Sequence, residues 1–182
     1  TILPSYAEMA ENLGSDWPTM SKEVNRDLAV LYSMIVPYIS DGIRKLTPHA
    51  TDAELIVADM WSFPAHIVAE LSGKPLALTL VCPGDLHVPE DPYVDPQSPF
   101  LVRNPQSKVA VEINRASIAF WKWITAKQYN GPMNKIRRSF GLPKLTKSAI
   151  MEPELEPHLW LGMFSPLLLR TNVKLSPNKV IV

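Results

Sequence analysis

The sequence predicts an α/β fold with a parallel sheet flanked by helices, and two observations lead to that prediction. The first is a strand–helix–strand pattern between Glu54 and Cys82. The second is a pair of short apolar runs, Leu159–Phe164 and Val180–Val182, which are typical of further strands. A strand, a helix of about ten residues and another apolar strand form a βαβ unit, whose two strands are parallel.

The first half of the chain is predicted to contain a long helix. Apolar residues recur at spacings of three and four between Ser21 and Leu46, which gives one apolar stripe. Pro37 lies inside this pattern and is expected to kink the helix or divide it in two. Pro48 is expected to end it. The stripe consists of Val24, Leu28, Leu31, Ile35 and Tyr38.

The βαβ unit has recognisable boundaries. Leu55–Ala58 is a continuous apolar run, which is typical of a strand buried on both faces. Ser62 can cap the following helix, and Pro64 is tolerated in its first turn. Gly73 supplies a C-terminal cap, after which Leu76–Val81 forms the second strand.

A proline-rich loop, 83–106, follows this unit. Six prolines and four acidic residues occur in the 23 positions from Pro83 to Pro105, which excludes a regular ladder or helix. A long loop inside a compact domain is usually functional or disordered.

Two helices are predicted after the loop. The first begins at Ser107 and ends at Gly131–Pro132, because both residues disfavour a helix interior. The second, Met133–Phe140, is closed by Gly141.

Composition restricts the class of partner. The chain has 182 residues, 46% of them hydrophobic, and its 18 basic residues balance 18 acidic ones. A basic face for nucleic acid is therefore not expected, and no apolar run is long enough for a transmembrane helix. The single cysteine, Cys82, excludes an internal disulfide framework and indicates a reducing, cytoplasmic compartment. It follows an apolar run and is expected to pack as a small hydrophobe.

The two ends of the sequence suggest a longer protein. The chain begins at Thr1 without a methionine and stops on the apolar run Val180–Val182. Domains tend to end on exposed polar segments, so we expect sequence to be missing on both sides.

Asp59 is the strongest candidate for chemistry. It ends an apolar strand of a parallel sheet, and open α/β sheets bind ligands at the carboxyl edge of their strands. A carboxylate there can orient and stabilise a histidine that acts as a general base. The structural alternative is that Asp59 caps the following helix, a position that aspartate favours.

Three segments resemble the N-terminal domain of UDP-dependent glycosyltransferases. The first is an apolar strand ending in Asp59, then a helix with an Ala-Glu pair at Glu70, then Gly-x-Pro at Pro75. The second, Asn134–Pro143, is similar to the family's Asn-x-x-Arg-x-x-x-Gly-Leu-Pro segment. The third, from Leu161 onward, is similar to the segment that leads to the interdomain linker. The resemblance covers roughly Glu54 to Val182 apart from the proline-rich loop, and its three segments occur in the family's order.

The resemblance implies a two-domain GT-B enzyme with a Rossmann-like N-terminal domain, of which residues 1–182 would be an incomplete part. The N-terminal domain would bind a lipophilic acceptor, and an absent C-terminal domain would hold the UDP-sugar co-substrate. No other cofactor and no metal are implied. Asp59 falls on the position of the aspartate that orients the base histidine, whereas the base itself has no counterpart here. The chain alone would therefore be inactive, while the parent would transfer a hexose with inversion.

Several further residues are candidates for the acceptor site. The aromatic residues Trp61 and Phe63 follow Asp59 and could line an apolar pocket, or else pack between sheet and helix. Pro83 and His87 follow the second strand and would lie at the same sheet edge as Asp59. Phe120 and Trp123 share one helix face, which is more often core than pocket. The other three histidines (His49, His66 and His158) are expected in turns or packed positions.

Other site signatures are missing or indicate structure. The glycines are too scattered for a phosphate-binding loop, and no metal-binding or hydrolase motif is present. A basic stretch (Lys135, Arg137, Arg138, Lys144 and Lys147) is expected to be a solvated face. Two alternatives to the transferase therefore stay open: a non-catalytic α/β module that binds an apolar ligand, and a subunit that completes a partner chain.

Overall fold

The computed structural model describes Glu11 and residues 35–92, 100–169 and 175–182. Within these ranges the helices are α1 (Val36–Ala50), α2 (Phe63–Ser72) and α3 (Lys108–Ser139), and the strands are β1 (Ile56–Asp59), β2 (Leu76–Leu80), β3 (Leu159–Gly162) and β4 (Lys179–Ile181). Short 3-10 helices occupy Pro83–Leu86 and Pro166–Leu168.

The four strands form one parallel sheet in the order β1-β2-β3-β4. The register aligns Asp59 at the end of β1 with Thr79 of β2, so the carboxyl ends of both strands lie at the same edge. This confirms the predicted α/β fold with a parallel sheet and flanking helices, including the two C-terminal strands.

The prediction that β1 is buried on both faces is wrong. Val57 in the middle of this strand is 57% exposed, because β1 is one of the two edge strands of the described sheet and only one of its faces is covered. The strand that is buried on both faces is β2, where only Thr79 has intermediate exposure. Position in the sheet explains the difference, since both strands are apolar in sequence.

Helix α2 forms as predicted, with Ser62 before it and Pro64 in its first turn. Gly73 ends the helix in the left-handed conformation (φ 64°), where its N–H donates to the carbonyl of Ala69. The Ser62 hydroxyl does not bond the helix backbone. It donates instead to the Asp59 carboxylate at 2.6 Å.

Helix α1 differs from the prediction in the places of its two prolines. Pro37 lies in its first turn, where proline is tolerated, and the part of the predicted helix before Ile35 falls outside the described residues. Pro48, which was expected to end the helix, lies inside it, and α1 continues to Ala50. Burial of Ile43 and Ala50 in the core outweighs the one backbone hydrogen bond that proline removes near the helix end.

Helix α3 is longer than predicted. The predicted end at Gly131–Pro132 is wrong, because one helix runs through both residues to Ser139. Tyr129, Met133 and Arg137 are buried on one face across this point at spacings of four. Their packing against α1 and α2 favours a continuous helix over the local break. Gly141 (φ 77°) then closes the helix as predicted.

The proline-rich loop is held to α3 by a buried amide. Asn114 is fully buried, and its Oδ1 accepts the N–H of Val102 at 2.7 Å, while its Nδ2 donates to the carbonyl of Pro89 at 2.9 Å. In its described part the loop contains one 3-10 helix, and the rest of its backbone is irregular, as predicted. Residues 93–99 lie outside that part.

Although α3 is 32 residues long, neither it nor any other helix in the described ranges is apolar enough over a sufficient length to span a bilayer.

Candidate functional site

A cavity of about 350 Å³ opens where the carboxyl end of β1 meets α1 and the start of α2. Its walls are mostly apolar, and its polar side-chain groups belong to Tyr38, Asp59, Trp61 and Ser62. The lining residues are Ile35, Tyr38, Ile39, Leu46, Val57, Ala58, Asp59, Trp61, Ser62, Pro64 and Ala65. Volume and lining are those of a small-molecule site, because such sites are concave, mainly apolar and carry few polar groups.

Asp59 is exposed at the rim of this cavity, and its carboxylate shapes the turn into α2. Oδ1 accepts the backbone N–H of Trp61 at 2.7 Å, and Oδ2 accepts the hydroxyl of Ser62 at 2.6 Å. The alternative that Asp59 has a local structural role is therefore correct in part, although Ser62 occupies the capping position itself. A carboxylate has about four acceptor positions, so these two bonds leave it able to accept others.

Trp61 and Phe63 have different environments. Trp61 is 55% exposed and lines the cavity, as expected for a residue that contacts an apolar ligand. Phe63 is 2% exposed and packs in the core between α1, α2 and α3, so its packing alternative is the one observed. The two rings meet edge to face, with their centroids 6.1 Å apart.

His66 bonds the backbone of Asp59 rather than its carboxylate. Its Nε2 lies 2.9 Å from the Asp59 carbonyl oxygen, and since a carbonyl can only accept, Nε2 carries the proton. Burial lowers the pKa of His66 below its ordinary value, and the hydrogen bond and the nearby charge of Asp59 only partly offset this. The expectation of a packed helix residue is confirmed.

Pro83 and His87 follow β2 at the same sheet edge as Asp59, but neither lines the cavity. His87 is half-buried, with its Nε2 3.2 Å from the carbonyl oxygen of Met151. Burial lowers the pKa of His87, and the positive charge of Lys122 lowers it further. The described structure therefore places these two residues apart from Asp59 and Trp61.

Phe120 and Trp123 stack on one exposed face of α3, with ring centroids 6.1 Å apart. Trp123 is 58% exposed, so the pair belongs neither to the core nor to the lining of the cavity.

Sequence reasoning missed a buried ion pair. Arg137 was expected on a solvated face but is 2% exposed, and its guanidinium donates to both carboxylate oxygens of Glu70 at 2.6 and 2.8 Å. Its Nε also donates to the carbonyl of Pro143 at 2.8 Å. The spacing of four from Tyr129 and Met133 to Arg137 was the available signal, because it puts all three on one helix face.

This ion pair joins two of the sequence segments singled out above, the one that contains Glu70 and the one from Asn134 to Pro143. Glu70 of the first pairs with Arg137 of the second, whose Nε also bonds the carbonyl of Pro143, and Asn134 of the second accepts the N–H of Leu145 at 2.8 Å. These residues hold α2 and α3 together and do not line the large cavity. We call this contact of Glu70, Arg137 and Pro143 the α2–α3 joint.

A second cavity of about 30 Å³ adjoins the α2–α3 joint, and His66, Glu70, Arg137, Glu152 and Glu154 are among its lining residues. It has room for a water molecule but not for an organic ligand.

Other chemistry is not evident in the part of the chain that the structure describes. Cys82 is partly buried, which raises the pKa of its thiol and disfavours the reactive thiolate. No group of three or more His, Cys, Asp or Glu side chains in the described ranges is arranged to hold a metal ion.

No protein-family model, no curated protein and no solved structure matches this chain. A function therefore has to be argued from Asp59, Trp61 and the large cavity.

Proposed function

We propose that this chain is most of the acceptor-binding domain of an inverting UDP-sugar-dependent glycosyltransferase, with a Rossmann-like sheet and a GT-B arrangement. The parent enzyme transfers a hexose to a hydroxyl group of a lipophilic acceptor. The observation that carries the proposal is a carboxylate at the carboxyl end of a parallel strand, on the rim of an apolar cavity. Open α/β sheets place their ligands at this edge, and the ordered resemblance to the family supports the same reading.

In the proposed reaction, Asp59 acts through a histidine. The carboxylate accepts an N–H from the imidazole, which fixes the tautomer and stabilises the imidazolium that forms when the other ring nitrogen takes the acceptor's proton. The acceptor oxygen then bonds to the anomeric carbon, the bond from that carbon to UDP breaks, and the configuration inverts. Asp59 is thus a positioning residue, and Trp61 and the apolar walls hold the acceptor.

Neither half-buried histidine near the edge is placed to be that base. His66 is bonded to the carbonyl of Asp59, and His87 is bonded to that of Met151. In this proposal the base histidine and the donor-binding domain belong to segments outside the printed sequence.

A second candidate is a non-catalytic α/β module that binds an apolar ligand or completes a partner chain. Both carboxylate oxygens of Asp59 already accept hydrogen bonds within their own turn, so the local structure accounts for this residue without catalysis. A downstream nucleotide-sugar-binding domain in the reading frame favours the transferase. Co-purification of a separate UDP-binding polypeptide favours the partner-completed module.

The transferase proposal is tested in the complete reading frame, with UDP-glucose as donor and 1-naphthol as acceptor. We expect Asp59→Ala to lower kcat by about 10²- to 10⁴-fold, the usual contribution of a positioned acid–base group. Asp85→Ala is the matched control, because Asp85 bonds the backbone of its own turn after β2 but does not line the cavity. If Asp59→Ala retains activity within a few-fold of the parent, Asp59 has no role in the mechanism.

A further inference from the structure

We propose, on the basis of the proposed function, that the cavity beside Asp59 discriminates by charge and that the acceptor carries no carboxylate, sulfate or phosphate group. The substrate class is then narrower than lipophilic molecules in general: it is neutral hydroxyl compounds, with anionic ones rejected. The lining of the cavity, its exposed apolar side chains and the placement of nearby cations lead to this inference.

In the described part of the chain, the cavity lining contains one carboxylate and no basic side chain. Among the eleven lining residues that the structure describes, Asp59 is the only Asp or Glu, and none is Lys, Arg or His. The partners of the Asp59 carboxylate are a backbone N–H and a hydroxyl, which are both neutral. Its negative charge is therefore not compensated by an ion pair among the described residues.

The basic residues of the adjoining helix do not change this balance. Arg44 and Lys45 belong to α1, which forms one wall of the cavity, but neither lines it. Lys45 is paired with Asp41 at 2.6 Å, so its charge is compensated on the helix surface. An anionic ligand in the cavity would lose water without gaining a cationic partner from the described lining, and it would also face the charge of Asp59.

Apolar surface at the same place favours a neutral occupant. Val57 and Trp61 are more than half exposed, yet both line the cavity. A neutral ring between α1 and the end of β1 would remove this surface from water without bringing a charge of its own that has to be desolvated. The volume of about 350 Å³ accommodates a two-ring molecule.

Three probes that share one ring system separate charge from shape. They are 1-naphthalenemethanol, 1-naphthoate and 1-naphthylmethylammonium, which are neutral, anionic and cationic at pH 7. We expect calorimetric titration of the 182-residue chain to give at least tenfold weaker binding for the naphthoate than for the alcohol. The ammonium probe is an electrostatic reporter, and we expect it to bind at least as tightly as the alcohol.

Asp59→Asn is the diagnostic variant, because asparagine keeps a side-chain oxygen for the Trp61 N–H and removes the charge, while the Ser62 hydroxyl can accept from the new amide NH2 instead of donating. We expect this variant to bind the naphthoate several-fold more tightly, the ammonium probe several-fold more weakly, and the alcohol within about twofold of the parent. A merely structural role of Asp59 would shift all three affinities in the same direction. Asp85→Asn, in the equivalent turn after β2, should shift none of them.

Each remaining outcome is informative. Equal binding of naphthoate and alcohol overturns the charge discrimination but leaves an apolar acceptor site, and hence the proposed function, in place. If Asp59→Asn shifts the affinities of all three probes in the same direction, the charge discrimination is likewise overturned and the proposed function is not affected. If no probe binds while the thermal unfolding of the chain is cooperative, the cavity is not a ligand site, and both proposals fail at that point.

Discussion

Two carboxylates of the same βαβ unit have opposite surroundings. Glu70, near the end of α2, is paired with the buried guanidinium of Arg137. Asp59, at the end of β1, is exposed, accepts hydrogen bonds from neutral donors and borders an apolar cavity. Both residues lie in the segment on which the proposed transferase assignment rests, yet Glu70 joins α2 to α3 while the Asp59 carboxylate bonds neutral groups of its own turn. Two acidic residues of one sequence pattern can therefore have different roles, and their surroundings distinguish those roles.

The largest expected effect is at the α2–α3 joint. Arg137→Met leaves the Glu70 carboxylate without its cation, and we expect the free energy of unfolding to fall by about 3–5 kcal/mol in urea denaturation. Arg138→Met is the matched control, because Arg138 is the exposed neighbour on the same helix, and it should cost at most about 0.5 kcal/mol. The double variant Glu70→Leu/Arg137→Met should recover part of the loss. Equal costs at the two arginines would show that the joint does not stabilise the fold.

Asp59 should contribute much less to stability than Arg137 does. Asp59→Ala removes the acceptor for the Trp61 N–H and the Ser62 hydroxyl at an exposed turn, so we expect a loss of about 1 kcal/mol. The same urea titration measures it, and Asp59→Asn should lose less because it keeps an acceptor. If Asp59→Ala is as costly as Arg137→Met, then the difference between the two carboxylates disappears, and lost activity in Asp59→Ala could no longer be assigned to chemistry.

The turn that completes the joint can be compared with a glycine inside α3. A methyl group added to Gly131 or Gly141 meets no atom within 4 Å, so space does not distinguish them. Gly141 has φ +77°, where a side chain is strained, and we expect Gly141→Ala to cost about 1 kcal/mol. Gly131 is in the helix, where alanine is favoured, so Gly131→Ala should gain about 0.5–1 kcal/mol. Thermal unfolding measures both, and changes of the same sign would contradict the backbone explanation.

The βαβ unit was predictable because its signals are local. Gly73 ends α2 through its own backbone conformation, and the apolar runs on either side follow directly from the sequence. The position of Asp59 at a strand end followed from the same pattern. These predictions needed no knowledge of distant contacts.

The predictions that were wrong concern features that depend on tertiary contacts. The path of α3 through Pro132 and the burial of Arg137 are both set by the packing of α3 against α1 and α2. The exposure of Val57 depends on the place of β1 in the sheet. The cavity depends on how α1 lies beside the end of β1, which no local pattern specifies. This is why sequence reasoning added His87 and Phe120 to the pair Asp59 and Trp61, whereas the structure keeps that pair together and adds Tyr38.

The smallest effect expected at neutral pH concerns His66, which touches both regions. It bonds the Asp59 carbonyl and lines the small cavity with Glu70 and Arg137. Because burial lowers the pKa of His66 in the folded protein below its value of 6.5 in the unfolded chain, the unfolded chain binds more protons between the two values. The contribution of neutral His66 to stability is therefore present above about pH 6.5 and is lost as the pH falls toward the pKa of the folded state.

We expect His66→Gln to make the fall in unfolding free energy between pH 7 and pH 5 shallower, as measured by urea titrations across that range. The comparison is with His49→Gln, which removes an exposed histidine at the end of α1. His87, whose pKa is also lowered by burial, remains in both variants and contributes equally to their slopes. Parallel slopes for the two variants would mean that His66 is not held neutral by the fold, and the link between the joint and the Asp59 turn would then be only a matter of packing.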